Sequence, residues 1–427
     1  MSKILHSFIL SISLMLTAGS CSGQQPSASV IPVPEETPAV LPGIEVLKLE
    51  GFEQLKGKRV GLITNPTGID NSMQSTIDIL AAAPEVKLTT LFAPEHGVRG
   101  NYTAGASVAN ETDPLTGVPV YSLHGSNRKP SPAMLADIDV LVYDIQDIGC
   151  RSYTFISTMG LAMEAAAAAG KQFMVLDRPN PLGGLRVEGP LVDQGCISFV
   201  SQYPIPYIYG LTPGELAVYL NDSGLLGSRK VDLTVIPMRG WRRDMTFVMT
   251  GMPWVPTSPH IPTPESALLY PATGIMGELD YVSIGVGYTL PFSLTGAPWI
   301  DSRALADAMT ALNLPGLEFR PIYYRPYYAK FKDLTLGGIQ IYVTSPATAP
   351  LSLLQFYIMQ EIARLYPDHK AFTEVSQAKL NMFDKVCGSR AVRANFSRSY
   401  NVDNIMKLWT EQADSFRTAT IPYHLYK

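Results

Sequence analysis

A chain of 427 residues exceeds what one hydrophobic core ordinarily supports, so two domains are expected. It is 46% hydrophobic and 16% charged, which excludes a collagen-like or wholly disordered organisation. A formal net charge of −4 without a basic stripe gives no electrostatic ground for a nucleic-acid partner. The four cysteines lack zinc spacing and the six histidines never pair as HxxxH, so no metal is expected.

In chain order, Lys3 precedes the apolar "ILHSFILSISLMLTAG", which predicts a secretory signal over residues 1–21. The stretch is too short and too poorly flanked for a stable transmembrane anchor. "TAGSC" resembles a bacterial lipobox, with Ala18 where leucine is commonest. Cys21 is the lipidated residue in that reading; ordinary signal-peptidase cleavage is the alternative. Residues 22–43, rich in proline, serine and small side chains, read as a tether lifting a folded domain off a membrane surface. The expected location is therefore outside the cytoplasm, periplasmic or at the cell surface, with a lipid anchor as the one membrane contact. Cys150, Cys196 and Cys387 leave an odd number of thiols in an oxidising compartment: one disulfide and a free thiol, or three buried thiols.

Strand and helix patterns then alternate. "KRVGLIT", "VKLTTLFA", "VPVYSLHG", "DVLVYDIQD" and "KQFMVLDRPN" are strand-like. "MQSTIDILAAA", "SPAMLADI" and "TFISTMGLAMEAAAAAG" read as helices, the last ended by Gly170. Strands that are apolar throughout, alternating with helices, predict an α/β fold with a parallel sheet covered on both faces. "TPGELAVYLND" is a helix with Thr212 and Glu215 in capping-box spacing, and "VDLTVIPM" is one more strand. The proline-rich "GMPWVPTSPHIPTPESALLYPATG" is expected to be irregular, lying over the surface or lining a cleft. A smaller second unit follows, with helices at "ALADAMTALNL", "LSLLQFYIMQEIARLY" and "NVDNIMKLWTEQADSFR" and a strand at "GGIQIYVTS". The expected domains are residues 44–300 and 301–427.

Open parallel sheets bind ligands beyond the carboxyl ends of their strands. Five successive strand ends here carry polar or titratable groups: Asn65 with Thr67 and Gly68; Glu95 with His96; His124; Asp144, Gln146, Asp147 and Arg151; and Asp177, Arg178 and Asn180. Each also has a structural reading. Glu95 could be a helix-start carboxylate, and His96, pointing the other way along an extended segment, could brace it. Asp144 and Asp147 could pair with Arg151, Asp177 and Arg178 with cleft neighbours, and Glu188 could brace its loop. The tyrosines of "YYRPYY" could stack on a sugar or pack between domains. Neither GxGxxG nor GxxxxGK[ST] nor GxSxG occurs, so nucleotide use and a serine nucleophile are unsupported and no cofactor is expected. Carboxylates with His, Arg and Asn suit metal-free acid–base chemistry, of which glycoside hydrolysis is the commonest two-carboxylate case.

At these same positions "GLITNPTGI", "LFAPEHGVRG", "TGVPVYSLHG", "DIDVLVYDIQDIGCRSYTF", "DRPNPLGGLRVEGP", "YGLTPGELA" and "TGAPWID" resemble the bacterial exo-β-N-acetylmuramidases, from about residue 44 to the C-terminus. The resemblance implies a Rossmann-like domain without a nucleotide and a smaller α/β C-terminal domain, with the active site between them. It also implies an exported enzyme that removes N-acetylmuramic acid from the non-reducing end of peptidoglycan fragments. By "APEHG", Glu95 is the leading catalytic carboxylate and general acid, with Asp144 or Asp147 second. Asn65, His96, His124, Arg151, Tyr153, Asp177, Arg178, Asn180, Glu188 and Glu278 are the expected sugar-binding groups. The chain departs from the family's S-E-G-R-G-T segment, carrying Ile284, Val286 and Tyr288 for Glu, Arg and Thr, and His260 replaces an Asn. Those departures bear on which sugar is bound. A glycan-binding lipoprotein without turnover, or an enzyme for a related amino sugar such as N-acetylglucosamine, are the alternatives.

Overall fold

The main sheet is made of strands that are apolar on both faces. The computed structural model describes residues 39–100, 111–373 and 375–427; Cys21, the signal and most of the tether lie outside these residues. The first elements are α1 (Gly43–Leu49), β1 (Arg59–Thr64), α2 (Thr76–Ala82), β2 (Lys87–Ala93), β3 (Glu111–Thr112), β4 (Pro119–Ser122) and β5 (Val140–Asp144). They are followed by α3 (Phe155–Ala169), β6 (Gln172–Leu176), α4 (Pro213–Asp222) and β7 (Asp232–Ile236). Among the described residues the strands form one sheet in the order β3-β4-β2-β1-β5-β6-β7. Its pairs are parallel except β3 with β4.

The two-residue period of β5 divides its side chains between two cores. Val140 and Val142 join α1 and α2, while Leu141 and Tyr143 join α3 and α4. Both faces are therefore covered, which is why these strands read as unbroken apolar runs. Chain termination follows local chemistry. Gly170 ends α3 at φ 64, and Thr212 and Glu215 close a reciprocal capping box at the start of α4. "SPAMLADI" differs from its helical reading: residues 132–137 form only turns.

The remaining elements are α5 (Pro264–Gly277), β8 (Leu294–Ala297), α6 (Ser302–Ala311), β9 (Leu317–Tyr324) and β10 (Leu336–Val343), then α7 (Leu351–Leu365), α8 (Gln377–Cys387), α9 (Arg390–Phe396) and α10 (Asp403–Thr420). β8, β10 and β9 make a small antiparallel sheet in that order. A second core gathers side chains of α5, α6, α7, α8 and α9. α10 joins the two bodies of side chains: Ile405 and Trp409 sit in the second core, Ala413 and Phe416 in the core beneath α3 and α4. Cys150, Cys196 and Cys387 are buried and unbonded, the three-thiol alternative. No helix among the described residues is long and apolar enough to cross a membrane.

The expected irregular stretch is regular in its second half, as α5. Thr263 caps it, Pro264 occupies its first turn, and Pro271 lies inside. An internal proline removes a ladder donor and disturbs the helix, and other backbone groups nearby are bonded from outside. The buried Gln355 of α7 donates to the Pro271 carbonyl at 3.0 Å and accepts from the Met276 amide at 2.9 Å. Tertiary hydrogen bonds thus hold a helix that its prolines argue against.

Candidate active site

Pro94 separates the end of β2 from Glu95, and the chain turns sharply just after. His96 has φ 76 and Gly97 φ 79, both left-handed. A non-glycine residue holds that conformation at a cost of about 1–3 kcal/mol, and such positions concentrate at functional sites. Arg99 anchors the far side of the turn, donating to Asp78 at 2.8 Å and to Asp113 at 2.9 Å. The guanidinium holds the Asp113 carboxyl down at about 2, so this anchor stays charged throughout the neutral and mildly acidic range.

Glu95 and His96 face a cavity of about 360 Å³. The entry to α3 also lines it, through Ser152, Tyr153, Thr154 and Phe155. Ser258–Ile261 of the proline-rich stretch, Tyr270 of α5, Glu278 at its end, and Phe292 complete it. The aromatic rings support one another edge to face: Tyr153 on Phe155 at 5.1 Å, Tyr153 on Tyr270 at 5.9 Å, and Tyr270 on Phe292 at 4.9 Å. Their hydroxyls are tethered as well. Tyr153 donates to the Thr257 hydroxyl at 2.7 Å, and Tyr270 shares a 3.1 Å hydrogen bond with Ser152. Thr273 of α5 donates to the Phe292 carbonyl at 3.2 Å, fixing that wall to the same helix.

Two carboxyls therefore share this cavity, Glu95 and Glu278. Burial pushes the pKa of Glu278 up; Lys379 opposes the shift and Asp280 adds to it. His260 is pushed down, chiefly by burial and further by the neighbouring His96, which favours the neutral imidazole at neutral pH. Its ring stacks on Tyr328, centroids 6.0 Å apart. Burial also raises the Tyr153 and Tyr270 phenols, so both remain hydrogen-bond donors.

Of the residues expected from sequence, the cavity gathers Glu95, His96, Tyr153 and Glu278. The others are placed elsewhere. Asp144 is fully buried at the end of β5, where Arg178 grips it through Nε at 2.5 Å and Nη2 at 3.0 Å and Thr76 donates to it. Arg178 also donates to the Ile69 carbonyl. This pair fills the crevice between β1 and β5, where the strand order reverses and doubly wound sheets usually seat a ligand. Asp147 accepts from Tyr209 and the Gly149 amide, and burial raises its pKa to about 7. Asp177 accepts from Thr212, the Gly214 amide and Tyr426, and is likewise raised by burial to about 7.

Asn180 ties the Leu182 amide to the Leu211 carbonyl, and Asn65 accepts from Thr67. Arg151 spends its guanidinium on the carbonyls of Pro190, Ile205, Val386 and Cys387 and on Ser201. His124, half-buried past β4, is not among the cavity's lining residues. Glu188 lines a different cavity of about 390 Å³, pairing with Arg186 and accepting from the amide and hydroxyl of Ser352. Residues that sequence reading did not single out as site groups are Ser152, Ser258, Tyr270 and Phe292. The signal for Ser258 and Tyr270 was the proline-rich stretch expected to line a cleft; Phe292 had none.

Comparison with known proteins bears on what such a cavity does. The family profile described as Exo-beta-N-acetylmuramidase NamZ, N-terminal, matches residues 60–265, and its C-terminal counterpart matches residues 268–426. The chain belongs to this family. It is 41% identical over all of both chains to a protein of Bacillus subtilis (strain 168) named peptidoglycan beta-N-acetylmuramidase NamZ. Crystal structures of two DUF1343 family proteins from Bacteroides fragilis NCTC 9343 are also similar. One is 53% identical with a TM-score of 0.88, the other 29% with 0.73, each covering 91% of this chain and 99% of its own. Family membership makes the two carboxyls of the cavity the natural focus, because glycosidases commonly work through such a pair.

Proposed function

We propose that the protein is an exo-acting glycosidase that removes N-acetylmuramic acid from the non-reducing end of peptidoglycan fragments. The observation that carries the reading is the meeting of Glu95 and Glu278 in one small, aromatic-walled cavity of a chain in this family. Glu278, kept protonated to higher pH by burial, is suited to donate a proton to the leaving glycosidic oxygen. Glu95, in the turn after β2 and lining the same cavity, is the carboxylate that meets positive charge developing at the anomeric carbon. The acid role, assigned to Glu95 from sequence, thus passes to Glu278. The second-carboxylate role passes from Asp144 and Asp147 to Glu95, since neither aspartate lines the cavity. Tyr153 and Tyr270 offer fixed aromatic edges and hydroxyls against the sugar. His96 and His260 line the same wall as Glu95 and Ser258.

A chromogenic β-N-acetylmuramide tests this reading. Glu95→Gln and Glu278→Gln should each lower kcat/KM by about 10²–10⁴-fold with the fold intact by circular dichroism. Turnover by wild type should also fall as pH rises through the elevated pKa of Glu278, because the proton donor is lost there. Absence of release by the wild-type enzyme, or full activity in both variants, would overturn the assignment.

Export and lipid attachment at Cys21 are part of the same proposal. The N-terminal apolar stretch, the lipobox-like "TAGSC" and the following tether support them.

A further inference from the structure

A second cavity of about 260 Å³ opens beside the first and shares Tyr270, Glu278 and Phe292 with it. One wall is apolar, formed by Val282, Ile284 and Val286 against Gly274 and Gly277 of α5. The shape of this wall is rigidly set. A Cβ on Gly277 would lie 2.5 Å from Ile284 Cδ1, so the helix packs closely against that side chain. Val286 sits between Gly285 at φ 82 and Gly287 at φ 91, and Cβ atoms there would lie 2.1 Å from the carbonyl oxygens of Leu290 and Tyr328. The Tyr327 amide donates to the Gly287 carbonyl at 2.7 Å, and the Phe292 amide to Ile284 at 2.7 Å. Ile284 and Val286 are thereby held at the cavity wall.

The connection between β9 and β10 also lines the cavity, through Ala329 and Lys330. Lys330 is exposed, with its ammonium 5.0 Å from the Phe331 ring, and no ion pair engages it among the described residues. The cavity's acids are Glu278 and Asp280. Asp280 is 3.9 Å from Lys379, and burial favours the protonated form of Glu278. A cation engaged by no ion pair among the described residues thus lines the same cavity as an apolar wall and Glu278.

We propose that this cavity is the subsite for the sugar's 3-O-lactyl group, its methyl against Ile284 and Val286 and its carboxylate on Lys330. The inference rests on the muramidase reading and names the residue that tells N-acetylmuramic acid from N-acetylglucosamine, which differ by that group alone. A neutral amino sugar would leave both the apolar wall and the cation unmatched. The cation is supplied by residue 330 and not by the segment 283–288, whose middle position is Val286.

Calorimetric binding of free N-acetylmuramic acid, its methyl ester and N-acetylglucosamine to the whole protein tests the subsite without requiring turnover. Wild type should prefer the acid to its ester and to N-acetylglucosamine. Lys330→Ala should weaken acid binding about fivefold, as expected for a solvent-exposed ion pair, and Lys330→Arg should restore it. Kinetics with the muramide should show the loss in KM with little change in kcat. Equal binding of acid and ester by wild type, or equal weakening of all three ligands in Lys330→Ala, would overturn the proposal. Failure of the muramidase reading would show separately, as absence of muramide hydrolysis by wild type.

Discussion

Asp147 shows how a carboxyl near an active site can serve the fold instead of the reaction. It is fully buried behind the cavity, accepts from Tyr209 and Gly149, and is raised to about 7 from an ordinary value of 3.8. Such a group binds its proton more tightly folded than unfolded. Its contribution to stability is complete below about pH 4 and is lost as pH rises through about 7, on the order of 4 kcal/mol for one fully buried group. Urea unfolding should therefore show lower stability at pH 8 than at pH 5. Asp177, raised to a similar value, contributes in the same direction. Asp147→Asn should flatten part of that slope while the Asp177 part persists. An unchanged slope would mean that Asp147 ionises in the folded state at an ordinary pH. Buried acids of this kind contribute to stability at low pH, the reverse of a salt-bridged carboxylate such as Asp113.

Elements were legible in the sequence where a single local pattern decides them. The five early strands and the helices α2, α3 and α4 follow from apolar runs, the Gly170 stop and the Thr212 cap. α5 was not legible, because the donor for the Pro271 carbonyl and the acceptor for Met276 both come from Gln355, 84 and 79 residues away. The same limit applies to the site. A polar residue at a strand end reads alike whether it faces a cleft or is pinned inside, and Asp144 was decided by an arginine 34 residues on. Strand ends are also where helix starts and connecting loops need hydrogen-bond acceptors, as Asp177 provides for α4. "APEHG", placed on the turn beyond β2, led directly to a cavity-lining acid, and Glu278 was singled out from the resemblance. Glu278 was expected as a sugar-binding group, but its place at the end of α5 beside Glu95, and so the carboxyl pairing, could be seen only after folding.

Across the whole molecule, Arg151 is the residue that fixes the cavity's wall to distant chain. Expected to hold sugar, it instead lies 1% exposed immediately before Ser152 and Tyr153, with its guanidinium saturated by protein. Its carbonyl partners lie in the segment after β6 and at the end of α8, which are separated by nearly two hundred residues. Gly388 is shaped around it: a Cβ there would lie 2.4 Å from Arg151 Nη2. Burial lowers its pKa to about 10, yet it stays charged at neutral pH, and that charge is balanced by carbonyl dipoles. Arg151→Met should leave several buried carbonyls without donors, each costing about 1–3 kcal/mol. Its effect should appear as a lowered midpoint in urea and loss of soluble protein, with kcat/KM of the remaining folded enzyme changed far less than in Glu95→Gln. Arg151→Lys should recover little, because an ammonium cannot reproduce a planar five-donor fork. A variant of normal stability with a selectively raised KM would place Arg151 on the substrate after all. The contrast with Lys330 is physical: one cation is enclosed and fully spent on the fold, whereas the other is exposed and uncommitted at the edge of the cavity, and only the second is available to a ligand.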